Sequence, residues 1–179
     1  MKLKGIILTM LSSITFGFGF TLAPMTYGVG GSNPVTLTFL RSFLSLPFLL
    51  LIVLFLKIDL KVTKSQLKNL VILGFVGNAI TTLMLNIAFA HLDVGIVIPL
   101  HFTYPVFVTL GCVLFFNEKL SKQKIIALVI AMCGIGCFFI ESLNSASFSS
   151  STLLGLILAV ASGAFYAFYI IFMDKSGLK

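Results

Sequence analysis

Charged side chains are scarce in this sequence, and tryptophan is missing altogether. Only 9% of the 179 residues are charged, whereas soluble domains carry about 25%. This composition excludes an ordinary water-soluble domain. Five residues are acidic, and all of them lie between apolar stretches or at their ends. The sequence therefore lacks the buried carboxylates that general acid–base catalysis within an apolar site would need.

Cysteine is also rare and indicates no site of its own. Cys112, Cys133 and Cys137 all lie within apolar stretches, so they predict neither a disulfide framework nor a redox compartment. No histidine accompanies Cys133 and Cys137 within their span, and two cysteines supply only half of the four ligands of a structural zinc site. Ser162 and Gly163 lack the preceding glycine of a serine-hydrolase nucleophile elbow. We therefore expect no metal, no cofactor and no enzymatic activity.

Apolar residues make up 59% of the chain and fall into long runs. A hydrocarbon core of roughly 30 Å takes about 20 helical residues, and six runs reach or approach that length. They comprise residues 5–23, 35–56, 70–90, 94–116, 125–140 and 153–173. The first run follows two lysines as a signal peptide would, but its length and the missing Ala-x-Ala near Pro24 favour a membrane span. We predict an all-α polytopic membrane protein with six transmembrane helices.

The lysines predict how these helices cross the membrane. All eleven lie before the first span, in residues 57–69, in residues 117–124 or after the last span, and the loops at 24–34, 91–93 and 141–152 contain none. Loops rich in lysine stay on the cytoplasmic side, so both termini should be cytoplasmic in a plasma-membrane protein. Because the charge of +7 is spread over these loops, it indicates a lipid surface and not a nucleic-acid partner.

Several polar residues lie inside the predicted spans. A guanidinium at the centre of a span costs about 2.5–3.5 kcal/mol, so Arg41 either anchors an anionic group of a substrate or snorkels to the surface. His101 would lie at a similar depth and either titrates or hydrogen-bonds between helices. Pro99 and Pro105 should kink the fourth helix beside it. The residues expected to bind substrate or line a cavity are Arg41, Asn78, Thr82, His101, Tyr104 and Tyr166.

A weak internal repetition recurs at an offset of 150 residues. The matched positions include Gly5 with Gly155, Ser12 with Ser162 and Phe18 with Phe168. Because five spans precede the second copy, it would enter the membrane from the opposite side, as in the inverted repeats of secondary transporters. The chain would then contain a five-helix repeat at residues 5–142, a serine-rich linker at 143–152 and the first helix of an incomplete second repeat at 153–179.

Four short motifs carry a family resemblance. Residues 105–107 read PVF, residues 116–120 read FNEKL, and a span of small residues follows. Residues 39–47 read FLRSFLSLP, and residues 86–95 read NIAFAHLDVG. Together these motifs resemble the EamA domain of the drug/metabolite transporter superfamily. The resemblance covers residues 5 to about 142 as one whole domain, and residues 153–179 look like the start of a second.

This resemblance implies ten helices in two inverted five-helix repeats around a central polar cavity. It also implies secondary active transport of small metabolites, amino acids or drug-like compounds, often as efflux, by alternating access. The present sequence lacks four of those helices, so a homodimer or a separate second half would have to supply them. The alternative is a non-transporting membrane assembly or regulatory subunit that needs a partner.

Overall fold

The computed structural model describes residues 2–27, 31–57, 60–145 and 149–176. These residues form six helices and no strand: α1 (Lys2–Met25), α2 (Pro34–Phe55), α3 (Lys64–Phe89), α4 (Val94–Phe116), α5 (Lys122–Ser145) and α6 (Ser150–Lys175). Among the described residues, five helices are long and apolar enough to cross a membrane, namely α1 to α4 and α6. The all-helical membrane class is thus confirmed. The α5 helix extends beyond the predicted 125–140 at both ends.

Local capping signals explain where several helices begin and end. The Asn33 side chain accepts a hydrogen bond of 2.8 Å from the Thr36 amide and starts α2. Thr63 and Gln66 form a capping box, which satisfies two free amide donors and moves the start of α3 to Lys64, ahead of the predicted 70. The α4 helix ends at Asn117 in the left-handed conformation, with a φ of 51°, a common way to stop a helix.

The middle of α3, Leu73–Ile80, is a π-helix. Its wider turns bond each amide to the fifth carbonyl back and not the fourth, so residues spaced four apart do not stay on one face. Asn78 is consequently exposed, whereas Asn86, which follows the π segment, is 2% exposed. The polar residues of α3 are therefore divided between two surfaces.

The α4 helix is broken into Val94–His101 and Tyr104–Phe116. Pro105 has no amide hydrogen to donate to the carbonyl of His101, and the chain tightens there, with Val106 N bonded to Thr103 O at 2.9 Å. The break predicted for this helix therefore lies at Pro105. Pro99 lies inside the continuous first segment.

The α6 helix lies in the groove between α3 and α4. At one end of the bundle, His91 Nδ1 lies 2.8 Å from Ser151 Oγ. At the other end, Lys175 Nζ lies 2.8 Å from Glu118 Oε1, so α6 runs parallel to α4. The buried apolar core of this arrangement consists of Leu85, Ala88, Phe89, Val97, Leu100 and Ala159.

The α2 helix joins this core through one buried amide. Asn86 Nδ2 donates to Thr38 Oγ1 at 2.8 Å, and Tyr27 donates its phenolic hydrogen to the Asn86 carbonyl at 3.2 Å. Burial raises the pKa of Tyr27 above its usual value, so the phenol remains a neutral donor. Elsewhere, α1 and α2 present mostly exposed apolar side chains, as expected of helices that face lipid.

Candidate functional site

The centre of the candidate site is a histidine–serine pair at the break in α4. His101 is 7% exposed and Ser162 is fully buried, with 2.9 Å between His101 Nδ1 and Ser162 Oγ. Ser162 also donates to the carbonyl of Ala159 at 2.6 Å. A carbonyl oxygen only accepts, so the serine hydrogen is used there, and His101 Nδ1–H must donate to Ser162 Oγ. When the imidazole is neutral, its lone pair then lies on Nε2.

This direction of the hydrogen bonds differs from that of a serine nucleophile. In a hydrolase the imidazole accepts the serine proton, whereas here the Ser162 hydroxyl donates to the main chain. The pair therefore orients the imidazole and does not activate the serine. Sequence reasoning considered Ser162 only as a nucleophile and missed it as the partner of His101. The adjacent small residues in mid-helix are typical of a close helix–helix contact and could have suggested that role.

Gly163 permits the close approach of α6 to the broken helix. A Cβ added at Gly163 would lie 2.9 Å from the carbonyl oxygen of His101 and 3.3 Å from Thr103 Oγ1. That carbonyl is the one deprived of its helical donor by Pro105. The close approach of α6 to α4 at Gly163 therefore lies at the point where the α4 hydrogen-bond ladder is interrupted.

Three tyrosines surround the imidazole. The ring centroids of Tyr166 and Tyr104 lie 5.4 Å and 6.0 Å from that of His101. Tyr104 and Tyr166 meet edge to face at 4.9 Å, and Tyr169 stacks on Tyr166 at 5.9 Å. A Cβ added at Gly77 of the π-helix would lie 2.8 Å from Tyr169 Cβ. The site is thus built by α3, α4 and α6 together.

The structure brings His101, Tyr104 and Tyr166 into one cluster. The remaining predicted site residues lie apart from its recorded contacts. Thr82 is half-buried just after the π segment, and Asn78 is exposed within it. Arg41 is exposed on α2, a helix with no fully buried residue. Among the described residues, the Arg41 guanidinium has no hydrogen-bond or ion-pair partner. No recorded contact joins Arg41 to His101 in the described part of the chain.

A bundle with five helices long and apolar enough to cross a membrane in its described part defines a polytopic membrane protein. Residues 3–140 match the family model described as the EamA-like transporter family. The chain belongs to this family of membrane transporters.

Two curated relatives are similar to the chain. The uncharacterized transporter YoaV of Bacillus subtilis is 29% identical over 150 residues, which cover 80% of this chain and 48% of the relative. The uncharacterized transporter sll1319 of Synechocystis is 33% identical over 93 residues, 52% of this chain and 28% of the relative. The chain thus spans about half the length of YoaV and less of sll1319. No solved structure gives a significant match.

Proposed function

We propose that this chain is a secondary active transporter, or the N-terminal part of one. It would move small metabolites, amino acids or drug-like compounds across the plasma membrane by alternating access. The observation that carries the proposal is the His101 cluster at the break in α4. Discontinuous helices near the membrane midplane are where transporters of this type hold substrates, because free carbonyls and polar side chains are available there.

The proposed orientation has both termini in the cytoplasm. Two contacts support it: Lys175 pairs with Glu118 after the end of α4, and Asn69 Nδ2 donates to the Ser176 carbonyl at 3.4 Å near the start of α3. These contacts bring lysine-containing segments of α3, α4 and α6 to the same end of the bundle. A common basic end is typical of the cytoplasmic side.

Completion of the transport pathway requires further helices in this proposal. The polar and aromatic cluster is formed by α3, α4 and α6 alone, and the exposed faces of α1 and α2 remain available to another subunit or repeat. We propose that a second repeat or a second copy of the chain supplies the opposite wall of the cavity. YoaV, which is about twice the length covered here, is compatible with a second repeat.

Flux measurements in proteoliposomes test the proposal. We expect the purified chain to move at least one amino acid, amine or drug-like solute under a proton or sodium gradient. His101→Ala should reduce that flux by about tenfold or more, because the variant removes the central polar group. His91→Ala is the matched control, since His91 lies in the α3–α4 turn, and it should retain most of the flux.

Two outcomes would contradict the transporter. One is a folded chain that moves no solute under any gradient even when a second copy or a second repeat completes the pathway. The other is stoichiometric co-purification with a membrane partner and no solute binding, which would favour the assembly or regulatory subunit. Cysteines introduced at positions 41, 78 and 101 add an independent check. If aqueous reagents label none of them from either side, there is no water-filled cavity for a substrate.

A further inference from the structure

We propose that His101 Nε2 and the rings of Tyr104 and Tyr166 bind the ammonium group of a protonated primary amine. This inference names a substrate class for the site above and rests on the proposed function. The amine would donate an N–H to the imidazole lone pair and place its positive charge against the two phenol rings. Its apolar body would extend along the neighbouring aromatic side chains.

The lone pair of His101 Nε2 is available to a ligand. Nδ1 is occupied by Ser162, and no described residue donates to Nε2. Within the described residues, every buried side-chain nitrogen or oxygen atom has a hydrogen-bond partner. An unpartnered Nε2 must therefore reach accessible space. The same reasoning applies to the phenolic oxygens of Tyr104 and Tyr166, for which the structure records no hydrogen bond.

The surrounding rings favour a cation. Tyrosine faces carry negative partial charge and attract ammonium groups placed within about 6 Å of the ring centroid. Tyr104 and Tyr166 meet edge to face, so their faces point in different directions around the imidazole. Because the two ring centroids lie 5.4 Å and 6.0 Å from that of His101, a ligand at Nε2 would lie beside the tyrosine cluster.

Formal charges are absent from the recorded contacts of the site. The acidic residues whose side chains the structure describes, Asp93, Glu118 and Asp174, lie at helix ends. Neither a lysine nor Arg41 is in hydrogen-bond or ring contact with His101. A substrate carboxylate would find phenol hydrogens but no cation there. An ammonium would find a lone pair and aromatic faces, the groups that recognise cations without a carboxylate.

Phe102 extends the site toward an apolar ligand body. Its ring centroid lies 6.2 Å from those of both His101 and Tyr104, and its side chain is 50% exposed. An exposed phenylalanine beside the break can cover an aromatic or aliphatic chain attached to the amine. The geometry therefore suits hydrophobic primary amines better than small hydrophilic ones.

Binding to the 179-residue chain in phosphatidylcholine nanodiscs tests this inference. The three probes share one phenylethyl body: 2-phenylethylammonium, the neutral 2-phenylethanol and the anionic 3-phenylpropanoate. We expect the ammonium to bind about tenfold more tightly than the alcohol. Equal binding of the two, or tightest binding of the carboxylate, overturns the proposal. In the carboxylate case Arg41 becomes the anchoring residue.

Variants of Tyr166 separate the ring from the hydroxyl. Tyr166→Phe keeps the aromatic face and should bind the ammonium within about threefold of the parent, whereas Tyr166→Leu should lose about tenfold. Phe168→Leu is the control on the same helix and should change nothing. Equal losses in the Phe168→Leu and Tyr166→Leu variants contradict a specific site.

A measurement on the unmodified chain avoids any folding defect of the variants. The ¹⁵N resonance of His101 Nε2 should move from the position of a free lone pair to that of a hydrogen-bond acceptor on addition of 2-phenylethylammonium. An unchanged resonance at saturating ligand overturns the proposal. Amine binding without any solute flux would contradict the proposed transport function but leave the amine site standing. Flux of a non-amine solute without amine binding would contradict the amine site but leave the transport function standing.

Discussion

The first and last helices carry small residues at matched positions, yet their surroundings are opposite. On α6, Gly155 packs against Leu92, where an added Cβ would lie 2.8 Å from Leu92 Cδ1, and Ser162 is fully buried. On α1, Gly5 has no neighbouring atom within 4 Å of an added Cβ, and Ser12 is exposed. The difference teaches that small residues create a contact only where a shaped partner exists, here the groove along the broken α4.

Hydroxyl groups on the two helices show the same contrast. On α1, Thr9, Ser13 and Thr15 donate to carbonyls four residues back in their own helix. On α6, Ser162 accepts from His101 in another helix.

A shallow depression on α1 is lined by Gly5, Ile6, Thr9, Met10, Ser13 and Ile14. If the repetition reflects an inverted repeat, this face of α1 would contact the hairpin of the second repeat that is equivalent to α3–α4.

The largest expected effect on stability is at Gly163 of α6, for which Gly5 of α1 is the comparison. Gly163→Ala places a methyl group against the main chain of His101, which cannot move as a flexible side chain would. We expect it to lower the free energy of unfolding by about 1–3 kcal/mol, the usual cost of overpacking. Gly5→Ala, with open space around it, should leave stability unchanged. Denaturant titration followed by circular dichroism measures both, and similar losses would remove the contrast.

The next largest effect on stability is at Ser162 of α6, for which Ser12 of α1 is the comparison. Ser162→Ala removes the partner of His101 Nδ1, and interhelical hydrogen bonds in membranes contribute about 0.6–1.7 kcal/mol. The same titration should show that loss of unfolding free energy. Ser12→Ala, at the matched and exposed position of α1, should show none. An equally destabilising Ser12→Ala would mean that α1 has a partner of its own.

The smallest expected effect lies at the end of α6. Glu118→Gln breaks the ion pair with Lys175. The side chains of both residues are more than a third exposed. Exposed pairs contribute little to stability, and salt weakens them. We expect a small loss of stability that disappears in high salt, and no loss for Asp93→Asn at the opposite end. A larger loss would show that α6 is held mainly by its end.

Much of the fold could be predicted because its causes are local. Length and hydropathy predicted the membrane helices, and the missing amide of Pro105 predicted the break in α4. The cluster of His101, Tyr104 and Tyr166 was also named from polar residues in apolar spans. These predictions depend on properties of single residues or of one helix, which the sequence contains directly.

The rest depends on how helices rotate and pair. The π-helical turns of α3 change the face on which later residues lie, so a uniform periodicity misplaces Asn78 relative to Asn86. The partner of His101 lies 61 residues away, and nothing local in the sequence identifies Ser162 for that role. Arg41 was expected at a cavity, but its side chain is exposed on α2, although Thr38 one turn earlier contacts Asn86 of α3.

The position of α6 has a consequence for biosynthesis. Chains emerge from the ribosome N-terminus first, so the α3–α4 hairpin enters the bilayer before α6 has been synthesised. During that interval the imidazole of His101 has no serine beside it. The Ser162 hydroxyl reaches His101 only when α6 arrives. The polar cluster on α4 is therefore completed by a helix that is synthesised after α4 itself.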